Sequence, residues 1–119
     1  YIAGPFRGET PWRVERNIRR AEEVGLEVAL AGFVPVIPHT MYRYFDKTGD
    51  DHFWLDATME LLAVCDALML VSASAVVESC GTAAEVAYCR EAGIPVFEKV
   101  FDLLWWGNSL PYEEDTDDA

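Results

Sequence analysis

Apolar residues along this chain fall into short continuous runs separated by segments in which they recur every three or four positions. Tyr1-Ile2-Ala3 reads as the end of a buried strand, broken by Gly4-Pro5 and Gly8. Pro11 is a favourable first-turn residue, and Val14, Ile18, Ala21, Val24 or Gly25, and Val28 keep helical spacing to about Ala31, where Gly32 stops the helix. Phe33 to Ile37 is a short apolar strand closed by Pro38, and the polar, aromatic stretch from His39 to Asp51 is patternless and reads as a long loop. A second helix is predicted from about Phe53 to Val64, with Leu55, Met59 and Leu62 or Ala63 on one side. Ala67 to Val71 is a continuous apolar strand of the kind covered on both faces. A third helix over about Thr82 to Ala92 ends at Gly93, Ile94 to Phe97 is a fourth strand, and Val100 to Trp106 a short helix.

Strands alternating with helices predict an α/β fold with a parallel sheet and helices on both faces. Ligands of such sheets bind beyond the carboxyl ends of the strands, where the strand order reverses. The rule selects three loops, Gly4 to Thr10, Pro38 to Asp51 and Ser72 to Thr82, which hold nearly all the unusual residues of the chain. With no internal repeat or linker, residues 1–112 are expected to form one domain. The tail with Glu113, Glu114, Asp115, Asp117 and Asp118 is expected to be a disordered acidic end.

Charge and cysteine content narrow the function. Twenty-one acidic against nine basic residues give a net charge of −12, which disfavours nucleic-acid polymers and anionic membranes as partners. No apolar run approaches the ~20 residues that cross a bilayer. A small anionic ligand remains open, because local donors decide binding in a pocket. Cys65, Cys80 and Cys89 have no CxxC spacing and fit neither a disulfide framework nor a zinc site, which suits a reducing, cytoplasmic setting. The chain begins at Tyr1 without a methionine, already inside an apolar stretch, so a few preceding residues are expected.

The richest chemistry lies in Glu78-Ser79-Cys80-Gly81-Thr82-Ala83-Ala84-Glu85, between a strand and a helix. Gly81 admits close backbone approach, the helix start offers free amides to an anion, and Ser79 and Thr82 add hydroxyls. Glu85 stands one turn in, either as a catalytic carboxylate or as the far half of a Thr82-x-x-Glu85 capping box. Cys80 is either an activated thiol or small filler. Gly4-Pro5-Phe6-Arg7-Gly8 is a second candidate anion site, with Arg7 as a phosphate fork or a surface arginine. Arg13, Arg16, Arg19 and Arg20 alternate with Glu15, Glu22 and Glu23 and read as a solvated, salt-paired face. Asp66 orients loop backbone or is structural. Asp56 and Glu60 lie four apart, as an acid–base pair or a solvated face. His39 is a ligand-facing imidazole or a structural one, and His52 carries less signal. Tyr42, Tyr44, Phe45 and Trp54 stack on a nucleobase or pack a subunit interface. Together with Trp105 and Trp106, Trp54 exceeds what a small core needs, so a homo-oligomer is expected.

Three of these segments, Tyr1-Ile2-Ala3-Gly4-Pro5-Phe6-Arg7-Gly8, Cys65-Asp66-Ala67 and Ser79-Cys80-Gly81-Thr82-Ala83-Ala84-Glu85, together resemble the nucleoside 2-deoxyribosyltransferase superfamily, in order from Tyr1 to about Phe97. In detail the chain looks closest to its uncharacterised DUF4406 branch. The resemblance implies a flavodoxin-like (Rossmann-like) three-layer sandwich with a parallel sheet of four to five strands. It also implies double displacement at an anomeric carbon, with Glu85 as the nucleophile and Tyr1 orienting it. The position six before the nucleophile holds aspartate in the transferases and serine in the related nucleoside 5′-monophosphate N-glycosidases; here it is Ser79. Arg7-Gly8 likewise resembles the phosphate loop of those hydrolases. The chain departs from the pattern where the family's base-recognising aspartate aligns with Thr58, Asp56 being two positions away and roughly on the opposite helix face. Asn108 is a weak stand-in for the asparagine that some transferases bring from a neighbouring subunit.

The expected activity is therefore cleavage of the N-glycosidic bond of a nucleoside or its 5′-monophosphate, resolved by water or another base. It needs no metal or cofactor, since carboxylate and proton chemistry suffice. The alternatives are a non-catalytic nucleotide-binding module, with Glu85 as the capping-box residue, and a hydrolase of a nucleotide-derived cofactor that releases nicotinamide or another non-nucleic base.

Overall fold

The computed structural model describes residues 1–45 and 48–110; the acidic tail lies outside them. Three short runs form the sheet: β1 (Ile2–Ala3), β2 (Leu68–Leu70) and β3 (Val96–Phe97), all parallel in the order β1-β2-β3. Ile2 pairs with Met69 and Leu68 with Val96. Every residue of β1 and β2 is buried, as the unbroken apolar runs predict.

The predicted strand over Phe33 to Ile37 does not form. Its one ladder-like contact is the Ile2 amide donating to the Val36 carbonyl at 2.9 Å, on the edge of β1 opposite β2. Val36 turns its carbonyl to β1, so the next amide on that edge belongs to residue 38, and Pro38 has no N–H to extend the ladder. The sheet among the described residues is therefore three-stranded. The segment still runs beside β1, so the chain leaves β1 in one direction and enters β2 in the other. The crevice where the order reverses lies between the loops that follow β1 and β2.

Helix α1 (Pro11–Leu30) starts as its sequence directs: Pro11 occupies the first turn and the Thr10 hydroxyl accepts from the Arg13 amide at 3.1 Å. Ile18, Ala21, Gly25 and Val28 are its buried positions. Gly25 takes that stripe because a Cβ there would come within 2.4 Å of Ile37 Cδ1. Gly4 is constrained in the same way, since a Cβ would fall 2.5 Å from Val71 Cγ2. The charged face of α1 does more than meet solvent. Glu15 pairs with Arg43, Glu22 accepts from the Thr40 hydroxyl, and Arg20 reaches the Val71 carbonyl at 3.3 Å.

The region read as a loop from His39 opens with a helical turn, α2 (Pro38–Met41), which Pro38 initiates. Helix α3 (Asp51–Ala63) begins where the Asp50 carboxylate caps the Phe53 amide at 2.8 Å. After β2 comes a short turn, α4 (Ala75–Glu78), and then α5 (Cys80–Ala92), which ends at Gly93 in the left-handed region, φ 77°. Helix α5 starts two residues earlier than predicted because Ser79 is its cap: the Ser79 hydroxyl accepts from the Thr82 amide at 3.2 Å. Helix α6 (Val100–Ser109) closes the described chain.

The helices bury one cluster around β1 and β2 that draws on Ala21, Leu62, Val86, Cys89 and Leu103. Of the three tryptophans expected at an interface, Trp54 and Trp106 find aromatic partners within the chain, and Trp105 is 68% exposed. Among the described residues no helix is long and apolar enough to cross a membrane.

Candidate functional site

A cavity of about 540 Å³ opens at the crevice that the strand order selects, within the size range of small-molecule sites. Its lining comes from five places. Tyr1 and Ile2 arrive with β1, and Gly4 to Arg7 with the loop after it. Pro38 and His39 belong to α2, followed by Tyr42 and Phe45. Trp54, Leu55 and Thr58 come from α3, and Glu78 to Thr82 with Glu85 from the α4–α5 junction.

Three polar side chains in this lining are almost fully buried: Glu85 (8% exposed), His39 (5%) and Thr82 (1%). Each has a polar atom with no hydrogen-bond partner among the described residues: Glu85 Oε2, His39 Nδ1 and Thr82 Oγ1. Buried polar atoms are nearly always satisfied, and each orphan costs about 1–3 kcal/mol. Three lining residues thus turn a buried polar atom to the cavity region with its bonding capacity open to water or a ligand.

The capping-box alternative for Glu85 fails. Thr82 is not the cap residue, because its own amide is the group that Ser79 caps. Glu85 lies six residues after the cap, and its carboxylate faces the Tyr1 hydroxyl instead. Burial pushes the Glu85 carboxyl up to about 7, with the Tyr1 hydroxyl pulling the other way. Burial and the adjacent carboxylate both hold the Tyr1 phenol well above its ordinary range, so it stays a neutral donor. Thr58 meets the same hydroxyl from α3, although its own hydroxyl also donates to the Leu55 carbonyl at 3.0 Å.

His39 is tied into the first loop. Its Nε2 lies 3.1 Å from the Gly4 carbonyl and 3.0 Å from that of Pro5. Both partners only accept, so Nε2 carries the proton and, in the neutral ring, Nδ1 is a bare acceptor. Desolvation lowers the pKa of His39 against the pull of those carbonyls, which favours that neutral form. Asn17 of α1 holds the same loop from outside, donating to the carbonyls of Phe6 (3.1 Å) and Arg7 (3.0 Å).

The predicted site residues thus separate. Tyr1, Gly4, Pro5, Phe6, Arg7, His39, Ser79, Gly81, Thr82 and Glu85 share the cavity, with Arg7 exposed at its mouth. Gly8 does not line it; its missing side chain makes room for Arg13, whose Cγ would stand 2.3 Å from a Cβ. Asp56 is exposed and outside the cavity, since α3 turns Trp54, Leu55 and Thr58 toward it. Asp66 is exposed at the amino end of β2, the wrong end of the strand for this crevice. Cys80 lines the cavity as an exposed free thiol. Glu60, His52 and Asn108 are exposed and do not line it. Asn17 and Glu78 carried no sequence signal of their own. Asn17 is the lone amide in a charged helix face, and that singularity is the mark by which it could have been found.

Among the described residues no group of three or more His, Cys, Asp or Glu side chains is placed to hold a metal ion. No curated protein and no solved structure matches the chain. A family model described as a domain of unknown function, DUF7768, matches residues 1–99, from β1 through β3 and up to the start of α6. The protein belongs to the DUF7768 family.

Proposed function

We propose that this protein cleaves the N-glycosidic bond of a nucleoside 5′-monophosphate, with Glu85 as nucleophile. The reading takes the fold as a flavodoxin-like variant whose fourth strand is reduced to the segment over residues 33–37. The observation that carries it is the Glu85 carboxylate: buried in the cavity, oriented by Tyr1 through one side, with Oε2 unpartnered. A carboxylate attacking C1′ forms a glycosyl ester while the base departs with the bonding electrons and takes up a proton. Water or a second base then attacks C1′ and frees Glu85.

The phosphate belongs at the start of α5. Cys80 and Gly81, the first two helical residues, have amides without partners inside the helix. The Ser79 oxygen already accepts from Thr82, which leaves its proton to donate to a phosphate oxygen. Arg7 adds a positive charge at the mouth. Ser79→Ala is then expected to cost about 1 kcal/mol of stability as a lost cap. It should also lower kcat/KM for monophosphates about tenfold or more, a charged hydrogen bond being worth ~1.5–3 kcal/mol, while sparing the parent nucleosides. Equal losses on both substrates would remove Ser79 from phosphate binding.

Catalysis on this scheme needs Glu85 ionised, so kcat/KM should rise with pH along a limb centred near the Glu85 pKa of about 7. A profile flat from about pH 5 to 9 would count against a carboxylate nucleophile in this environment.

The deciding experiment is base release, followed by chromatography, from a panel of nucleosides and their 5′-monophosphates by the wild type and Glu85→Gln. Release from monophosphates that disappears in the variant supports the reading. No release, with nucleotide binding unchanged by the substitution, leaves a ligand-binding module.

A further inference from the structure

The part of the cavity supplied by α3 and residues 42–45 is an aromatic wall. Tyr42 and Trp54 lie 5.2 Å apart between ring centroids, and Phe45 stacks on Trp54 at 6.0 Å with an interplanar angle of 22°. Hydrogen-bonding groups that could read the edge of a neutral base are few there. The Thr58 hydroxyl donates to Leu55, and the Trp54 indole N–H, buried and without a partner among the described residues, stands beside Gly49, which does not line the cavity. Among the described residues the charged lining is Glu78 and Glu85 against Arg7 at the mouth.

An aromatic wall in a cavity that also holds the Glu85 carboxylate suits a cation. Aromatic faces attract positive charge through their quadrupole, most strongly when the pair is desolvated. We propose that the ring this cavity accepts is a cationic aromatic heterocycle, which makes the ligand class a 5′-phosphate of an N-ribosyl heteroaromatic cation, with an N-ribosyl pyridinium as its simplest member. The placement of sugar and phosphate rests on the glycosidase reading above. Such a molecule is charged at both ends, with the phosphate at the start of α5 and the cation against Tyr42 and Trp54.

The reaction gains from this charge. Glu85 Oε attacks C1′ and the new C–O bond forms as the bond to the ring nitrogen breaks. The electron pair returns to that nitrogen, so the ring leaves neutral and no general acid is required. Water then attacks C1′, the ester C–O bond breaks, the proton goes to solvent, and Glu85 departs as a carboxylate. A neutral ligand closing over Glu85 would exclude water and hold it protonated, whereas a cation placed against it favours the ionised nucleophile.

The test uses nicotinamide mononucleotide and its reduced dihydropyridine form, which keeps nearly the same shape without the ring charge. With Glu85→Gln, so that neither is consumed, calorimetry should show the oxidised form bound about thirtyfold tighter, the scale of a desolvated cation–π contact. Trp54→Leu and, separately, Tyr42→Leu should erase most of that preference; the second variant guards against loss of folding in the first. Equal or tighter binding of the reduced form, or a preference for uridine or adenosine 5′-monophosphate, overturns the proposal. Release of nicotinamide by the wild type is scored separately. Its absence alongside a preserved charge preference would sink the glycosidase reading and leave the ligand class standing.

Discussion

Replacing Glu85 by glutamine should abolish base release, by about a thousandfold or more, and at the same time make the protein more stable at alkaline pH. The first effect follows from removing the attacking atom pair, for which the described lining offers no equivalent: Glu78, its other carboxylate, is exposed at the end of α4, and Tyr1 is held as a neutral phenol. Losing a nucleophile typically costs more than ~4 kcal/mol of transition-state stabilisation. The second effect follows from burial. The folded-state pKa, about 7, lies above the ordinary value of 4.5. Between those values the folded protein holds a proton that the unfolded chain has released, so stability from this group is full below about 4.5 and is lost as the pH rises through about 7. The whole loss is about 3 kcal/mol. Glutamine never ionises, so the variant should match the wild type near pH 4.5 and exceed it near pH 8, by denaturant or thermal unfolding. A variant that is inactive and also destabilised at pH 8 would mean that Glu85 holds the fold together, as a structural residue would.

The alternation of strands and helices was legible because buried parallel strands need unbroken apolar runs, and Leu68 to Leu70 and Val96-Phe97 sit inside the predicted ones. The crevice followed from topology. What escaped was local. Two hydroxyl residues, Ser79 and Thr82, stand three apart, and either can cap a helix. The Glu85 that follows Thr82 at box spacing points to the wrong one, and what decides between them is the Thr82 amide donating to the Ser79 hydroxyl. Pro38 reads in the sequence as the residue that closes an apolar run, yet it also removes the amide that this edge needed, two residues on from the Val36 carbonyl. A four-residue helix such as α2 shows too little periodicity to be read. Asp56 and Asp66 were candidates by chemistry alone. The phase of α3 turns the first away from the cavity and the direction of β2 puts the second at its far end, two facts that residue types do not carry. Arg20 shows the converse: composition marks it as solvated, but its length lets it reach the end of β2.

Gly81 supplies the complementary prediction, a substitution that should improve the fold and harm binding. The positive-φ glycines are Gly32 and Gly93, so Gly81 is not there for a left-handed backbone. Nor is it there for packing, because a Cβ on Gly81 would meet only Ser79 Oγ at 3.8 Å. Glycine in a helix costs up to about 1 kcal/mol relative to alanine, a penalty the chain accepts at the second position of α5 without any internal return. The remaining use of a bare Cα at that point of the lining is to let a ligand approach the Cys80 and Gly81 amides closely. Gly81→Ala is therefore expected to raise the midpoint of thermal unfolding by a few degrees and to weaken binding of a 5′-monophosphate tenfold or more, a methyl group now standing where a phosphate oxygen would lie. The two readouts separate the explanations. Binding lost together with stability would mean that the residue serves the fold after all. Stability gained with binding intact would move the anion site away from the start of α5, and with it the roles of Ser79 and Arg7.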